Sequence, residues 1–163
     1  MVDILSQISQ DFAQLADIRK PTLTSVSLDE VVGNSAGLFG PEKVMTEDLS
    51  NQVTADASSL VRVFNNLISN AIEASDEAGS DQPVRITARE LGDMIEIAIS
   101  DKGIGIEQAK LDRIFEPRFT TKNHGLGLGL AMVKSIIEQA SGKVVAKSIE
   151  GEGSTFYVSL PKA

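Results

Sequence analysis

The stretch KNHGLGLGLAM (residues 122–132) places three glycines where a helix is about to begin. The glycines alternate with leucines, and the residues that follow have helical spacing. Glycines directly before a helix expose backbone N–H groups, and the helix N-terminus adds a partial positive charge. Residues 125–129 therefore indicate a phosphate cradle that Leu128 and Leu130 anchor to the core. A flexible linker is the alternative, although linkers are rarely both basic and leucine-alternating.

The charge around this stretch differs from that of the whole chain. The net charge is −8, yet the segment from Pro117 to Gly129 holds the cations Arg118 and Lys122 and no acid. A general nucleic-acid binder would usually be basic, so a polyanionic ligand must be met by local charge or by a metal. The familiar phosphate motifs do not fit. There is no GxxxxGK[ST], and GLGLGLAM lacks the third glycine of GxGxxG.

Composition indicates one domain with an aliphatic core. Of 163 residues, 42% are hydrophobic and only 4% are aromatic, which suits an α/β or α+β domain. The absence of cysteine excludes disulfides and zinc–thiolate sites. We find no apolar run long enough to span a membrane and no basic region typical of a signal peptide at the N-terminus. These features fit a cytoplasmic protein or the cytoplasmic part of a membrane-anchored one, and they predict no nucleic-acid partner and no membrane contact from these residues.

Hydrophobic spacing predicts the order of elements. We expect short strands at VMTEDL and NQVT, a hairpin of VRITARE and MIEIAIS, and a closing hairpin of KVVAKSIEG and STFYVSLP. We expect helices at LDEVVGNSAGLF, from Ala57 to Ala74 with Asp56 as its N-cap, at EQAKLDRIF, and from the glycine stretch to Ala140.

The long predicted helix carries two stripes. One is apolar, and the other consists of Arg62, Asn66, Asn70 and Glu73. An asparagine in a helix interior lowers helix stability by about 0.5 kcal/mol relative to alanine. Two asparagines on one face therefore suggest a role that offsets this cost. Amide oxygens suit a Mg²⁺ ion that is already bound to phosphates. A solvated helix face is an equally good explanation of the two asparagines alone.

DKGIGIE (101–107) follows a predicted strand. Its glycines permit turns that a Cβ atom would forbid and allow a flat ligand to approach the backbone. Asp101 at the strand end could accept a hydrogen bond from an exocyclic amine such as adenine N6. On its own this pattern is also an ordinary turn.

The N-terminal residues Leu5, Ile8, Phe12 and Leu15 repeat with heptad spacing, and Pro21 ends the predicted helix. Two heptads are too few for a coiled coil. A helix packed on its own domain and a fragment of a dimerisation helix are about equally good interpretations.

Five segments occur in a fixed order: NLISNAIEA (66–74), DKGIGI (101–106), IFEPRFTTK (114–122), GLGLGL (125–130) and GSTF (153–156). They resemble, in turn, the asparagine box, first glycine box, phenylalanine box, second glycine box and closing hairpin of the ATP-binding catalytic domain of sensor histidine kinases. The resemblance covers residues from about 25 to 161. EPRFTTK and ISQDFAQLADIRKP also resemble the nitrogen-regulation type of these kinases.

The resemblance implies an α+β fold of the GHKL (Bergerat) type, a two-layer α/β sandwich with a mixed sheet packed on helices and a mobile lid over ATP. Asn66 and Asn70 would face Mg²⁺ and the phosphates, Asp101 the adenine amine, and Lys122 a phosphate. The implied nucleotide-binding residues are Asn66, Asn70, Asp101, Gly103, Gly105, Ile106, Lys122, Gly125, Leu126, Gly127, Leu128, Gly129, Leu130 and Ser154. Residues 1–20 would be the end of a dimerisation helix, and residues 21–163 the ATP-binding domain.

Three features depart from the family pattern. Arg118 replaces an apolar aromatic residue, Glu73 replaces a cation, and the phospho-accepting histidine is missing, since the single histidine, His124, lies in the lid segment.

The resemblance implies ATP and Mg²⁺ as ligands, and a dimerisation domain and a response regulator as partners. The alternatives are a nucleotide-binding regulatory module without transfer activity and a GHKL-type ATPase. Asn66 occupies the position where the ATPases carry a glutamate that activates water, and an amide cannot take that proton.

Overall fold

A computed structural model describes residues 5, 6, 9, 20–117 and 129–163. The helices are α1 (Leu28–Gly37), α2 (Ala57–Glu77), α3 (Gln108–Leu111) and α4 (Gly129–Gln139). The strands are β1 (Thr24–Ser27), β2 (Val44–Glu47), β3 (Gln52–Ala55), β4 (Val84–Leu91), β5 (Met94–Asp101), β6 (Lys143–Ile149) and β7 (Gly153–Pro161).

The main sheet has five strands in the order β2-β4-β5-β7-β6. The β4–β5 and β6–β7 pairs are the two predicted hairpins, and β5 pairs with β7 in an antiparallel register from Met94–Pro161 to Asp101–Ser154. The β2–β4 pair is parallel, so the sheet is mixed. The strands β1 and β3 form a separate antiparallel pair. This arrangement confirms the α+β fold class.

Helices cover one face of the main sheet. Residues of β5 point alternately to the two faces, and the isoleucines lie on the covered face. Ile95, Ile97 and Ile99 point inward and are at most 1% exposed. The apolar stripe of α2, which includes Phe64 and Leu67, is buried against the same core. Full burial of each such side chain contributes about 1.5–3 kcal/mol. The core thus fixes α2 over the end of the sheet where β5 finishes.

Two predicted helices differ from the structure by more than two residues. The helix α2 begins after Asp56 as expected, with Asp56 Oδ1 accepting a hydrogen bond from Ser59 N at 3.0 Å, but it continues to Glu77 rather than ending at Ala74. The segment EQAKLDRIF is helical only in Gln108–Leu111 and then turns. A single helical turn without a side-chain cap is intrinsically weak, so Ile114 is buried from a turn rather than from a helix.

Candidate nucleotide-binding site

A polar row terminates the apolar inner face of the sheet. Asp101 on β5 pairs with Ser154 on β7, and Ser154 pairs with Ser148 on β6. The next row toward the core contains Ile99, Phe156 and Ala146. Asp101 and Ser154 are each only 6% exposed, so a charged and a hydroxyl group are buried where the core gives way to the site. Buried polar groups in such a position require partners.

The two oxygens of Asp101 have different surroundings. Oδ1 accepts hydrogen bonds from Gly103 N at 2.8 Å and from Ser154 N at 3.3 Å. No hydrogen bond joins Oδ2 to any residue in the described part of the chain. Burial raises the pKa of the Asp101 carboxyl, and the two backbone N–H donors and the neighbouring Lys102 oppose that rise. The backbone thus orients the carboxylate and leaves one oxygen to accept from a ligand.

Ser148 is the hub of a hydrogen-bond network that sequence reasoning missed. Its Oγ lies 2.7 Å from Ser154 Oγ, accepts from Ile106 N at 2.7 Å and donates to Gly153 O at 3.0 Å. These contacts join the end of β6 to the start of β7 and to the glycine loop. A serine in the alternating strand KVVAKSI carries no local signal of this role.

The first glycine segment packs on the C-terminal half of α2. Ile104 N donates to Ala74 O at 3.2 Å, and a Cβ atom on Gly103 would lie 2.5 Å from the Ala74 carbonyl carbon. Such a contact cannot be accommodated without moving backbone, so position 103 requires glycine. Gly105 lies against the Ile149 carbonyl at the end of β6. The loop is therefore clamped between the helix and the sheet.

The two asparagines of α2 are neighbours, one helical turn apart. Asn70 Nδ2 donates to Asn66 Oδ1 at 3.1 Å, and both side chains are half-buried. The first residue of α4, Gly129, lies against Asn66, and Arg62 Nη2 contacts Met132 Sδ at 3.4 Å. The asparagine face of α2 therefore meets the start of the helix that follows the second glycine segment, rather than facing only solvent.

These contacts bring the first glycine segment and Gly129 of the second glycine segment to the asparagine segment, which is part of α2. Asn66, Asn70, Asp101, Gly103, Gly105, Ile106, Gly129, Leu130 and Ser154 lie within the described residues, and Leu130 is half-buried against the core. Lys122 and the residues Gly125, Leu126, Gly127 and Leu128 lie outside the described residues, as do Arg118 and His124. Ala74, where the glycine loop packs, is about 12 Å along the helix axis from Asn66.

The side chains near the asparagines suit a metal ion whose other ligands are waters and substrate phosphates. Within the described ranges, no cluster of three or more histidine, cysteine, aspartate or glutamate side chains could hold a metal ion. Amide oxygens are hard, neutral ligands, and Mg²⁺ usually keeps waters and substrate phosphates in its coordination shell. The residues present therefore fit a phosphate-bound Mg²⁺ ion and do not fit a site made by the protein alone.

Residues 55–163 match the family described as histidine kinase-, DNA gyrase B-, and HSP90-like ATPase. The chain belongs to this family. It is 36% identical over 95% of its length to the sensor histidine kinase ZraS of Escherichia coli K12, and 37% identical over 67% of its length to sporulation kinase E of Bacillus subtilis. The solved catalytic domain of the histidine kinase ThkA has 29% identity and a TM-score of 0.73, covering 86% of this chain and 96% of that domain.

The match confirms the predicted resemblance to the ATP-binding catalytic domain of sensor histidine kinases. The aligned region corresponds to 35% of ZraS and 14% of sporulation kinase E, so the chain spans about a third or less of these relatives. Among the helices that the structure describes, none combines the length and the apolar character needed to cross a membrane.

Proposed function

We propose that this domain binds Mg·ATP and transfers the γ-phosphoryl group to a histidine on a dimerisation domain outside these 163 residues. The observation that carries the proposal is the divided environment of Asp101. Two backbone N–H groups hold Oδ1, and Oδ2 makes no hydrogen bond within the described part of the chain. A carboxylate oxygen that is left to accept in this way suits the exocyclic amine of adenine, whereas guanine presents a carbonyl oxygen at the equivalent ring position.

The phosphates would extend from this base site along α2 towards Asn66 and Asn70. The contact of Gly129 with Asn66 supports this direction, because it places the N-terminus of α4 beside the asparagines. That N-terminus follows the glycine segment and favours anionic oxygens through its partial positive charge. Lys122 and the backbone of residues 125–129 would add further phosphate contacts.

Mg²⁺ would be held by Asn70 and Asn66 together with the phosphates, and it would neutralise charge that develops on the transferred group. Asn66 Oδ1 already accepts from Asn70 Nδ2. An amide oxygen has two lone pairs, so Asn66 Oδ1 could ligate the ion while it keeps this hydrogen bond.

The transfer step needs positioning more than acid–base chemistry. The histidine nitrogen attacks the γ-phosphorus, a nitrogen–phosphorus bond forms, the bond from that phosphorus to the bridging oxygen breaks, and ADP leaves. Asn66 cannot remove a proton from water, so hydrolysis of ATP should be slow. Glu73 is exposed on the same side of α2, and its negative charge near the phosphates is the one described feature that favours a non-transferring regulatory module.

The domain boundaries follow the same reasoning. Residues 1–20 would be the end of the dimerisation helix and residues 21–163 the catalytic domain. In support, residues 5, 6 and 9 are helical, and Leu5 of the heptad seam is 73% exposed rather than buried in the core. A response regulator would receive the phosphoryl group from the histidine, and both reactions would occur in the cytoplasm, where ATP is present.

Calorimetric titration tests the binding part of this proposal. ATP should bind more tightly than GTP, and the affinity for ATP should increase with Mg²⁺, whereas ADP should bind with a smaller dependence on the metal. Equal affinity for ATP and GTP would contradict base recognition by Asp101. A lack of any Mg²⁺ effect would contradict the assignment of the asparagines.

A further inference from the structure

Asp56 joins the segment that enters the domain to the first turn of α2. Its Oδ2 accepts a hydrogen bond from Thr22 N at 2.8 Å, across 34 residues of sequence. Its Oδ1 accepts from Ser59 N at 3.0 Å and from Ser58 Oγ at 2.8 Å. Asp56 is only 8% exposed. An N-cap needs only one of these oxygens, so the second oxygen has a separate task.

The Thr22 contact is strong in electrostatic terms. The pKa of the Asp56 carboxyl is held well below its usual range, and the hydrogen bond from Thr22 N is the largest cause, followed by that from Ser59 N. The carboxylate is therefore charged at all physiological pH values. Hydrogen bonds to an ionised acceptor are shorter and about twice as strong as neutral ones.

The entering segment also lies against the far ends of the helices that form the site. A groove beside Asp56 is lined by Pro21 and Leu23 from this segment, by Leu60 from α2, by Ile136 near the end of α4 and by Ala140 directly after it. The helix α4 starts beside Asn66 and runs about 15 Å to this groove. Both helices that meet at Asn66 thus reach the entering segment through rigid backbone.

Pairing of strands extends the same connection. After Thr22 the chain forms β1, which pairs with β3, and Thr24 lies opposite Ala55, the residue before Asp56. Val53 on β3 bridges to Lys162 beyond β7. The strands hold the segment from Thr24 onward, and the Asp56–Thr22 bond ties the residue pair directly before β1 to the start of α2.

We propose that Asp56 is a positioning residue: it fixes the direction in which the preceding chain leaves the domain relative to α2, and so sets the placement of the bound nucleotide relative to the acceptor histidine. This inference rests on the proposed kinase function. Asp56 lies outside the nucleotide site, since Asn66 is about 15 Å further along α2. Loss of the Thr22 bond should therefore alter transfer and leave nucleotide affinity unchanged.

The variants Asp56→Ser and Asp56→Ala distinguish the effect of the Asp56–Thr22 hydrogen bond from the effect of Asp56 as helix cap. Serine is a good N-cap residue and retains the bond to Ser59 N, but its single short oxygen cannot also reach Thr22 N. Alanine loses both bonds. Ser27→Ala is the matched control, because Ser27 Oγ caps α1 through Glu30 N at 3.3 Å and Ser27 makes no contact with Asp56 that the structure describes.

Hydrogen exchange on the 163-residue chain gives the first readout. In Asp56→Ser the Thr22 amide should exchange at least about tenfold faster, the change expected for loss of one charge-assisted hydrogen bond, while the Ser59 amide stays protected. In Asp56→Ala both amides should exchange faster, and in Ser27→Ala neither should. An unchanged Thr22 rate in Asp56→Ser would overturn the proposal.

Steady-state kinetics on the complete sensor kinase give the second readout. In Asp56→Ser, kcat for phosphohistidine formation should fall several-fold with KM for ATP unchanged, and Ser27→Ala should match the wild type. Faster exchange of Thr22 with unchanged kcat would overturn the positioning role. Absence of phosphohistidine in the wild-type kinase would contradict the proposed function. The Thr22 exchange rates would still show whether Asp56 holds the segment before β1 through Thr22.

Discussion

A Cβ atom on Gly129 would lie 2.3 Å from Asn66 Nδ2, so the start of α4 and the asparagine face of α2 are in direct contact. This contact connects the second glycine segment with the first of the two predicted metal ligands. It is the described contact that best supports a phosphate site between α2 and the glycine segment.

Gly129→Ala should therefore reduce the affinity for Mg·ATP, because the new methyl group must displace the Asn66 side chain. Gly33→Ala in α1 is the control, since a Cβ there meets nothing within 4 Å and alanine favours the helix by about 1 kcal/mol. Calorimetry and thermal unfolding measure the two effects. Equal ATP affinity in Gly129→Ala and the wild type would contradict the close packing of Asn66.

Asn70→Ala tests the metal assignment. Removal of the amide should weaken Mg·ATP binding at least about tenfold and leave adenosine binding nearly unchanged, because the proposed adenine contact is made by Asp101 rather than by the asparagines. The fold should be retained, since alanine has the higher helix propensity. Asn34→Ala on the exposed face of α1 controls for loss of an asparagine from a helix. Unchanged Mg·ATP affinity in Asn70→Ala would exclude the asparagine from the phosphate site.

Asp101→Asn tests recognition of the base. The amide retains one oxygen for Gly103 N and Ser154 N but presents an NH₂ group to the adenine amine, at a cost of about 1–3 kcal/mol in ATP affinity. The preference for ATP over GTP should decrease as well. Competition binding of the two nucleotides measures this preference. A variant that discriminates as well as the wild type would show that another group reads the base.

The raised pKa of Asp101 predicts a pH-dependent difference in stability. The folded-state pKa lies above the unfolded value of about 3.9, so the native state binds more protons between the two values. The contribution of Asp101 to stability is thus most favourable below the unfolded pKa and is lost as the pH rises through the folded pKa. Urea unfolding from pH 4 to pH 7 should show Asp101→Asn gaining stability relative to the wild type.

The same titration affects binding with the opposite sign. Protonation below the raised pKa places a hydroxyl donor where an acceptor is needed, so adenosine affinity should fall as the pH is lowered through that value. Asp101→Asn should show a flatter pH profile. If adenosine affinity depended on pH in the same way in the wild type and in Asp101→Asn, Asp101 would not take part in base recognition.

Local patterns predicted most of the fold. The alternation in MIEIAIS follows from one buried and one open sheet face, and Asp56 marks the start of α2 because a side-chain acceptor satisfies the first backbone donors. The resemblance also identified Asn66, Asp101 and Gly103 as residues of a common site, and these residues do lie around α2. Their roles with a nucleotide remain predictions.

Features that depend on distant pairs could not be read from the sequence. The parallel register of Val44 with Val84, the hub at Ser148 and the bond from Thr22 to Asp56 all join residues whose local patterns are ordinary. Long-range strand order is set by the packing of the whole core, and a serine in a strand has no periodicity that distinguishes it. The short extent of α3 has a local cause instead, since a single helical turn without a side-chain cap is intrinsically weak.

The most direct test of the central claim is incubation of the chain with γ-³²P-labelled Mg·ATP, with and without a histidine-bearing dimerisation domain. We expect bound nucleotide, very slow phosphate release and no label on the isolated chain. With the added domain we expect label on that domain that acid removes and base does not. Stable label on the isolated chain, or rapid phosphate release without the added domain, would contradict the assignment as a histidine kinase domain.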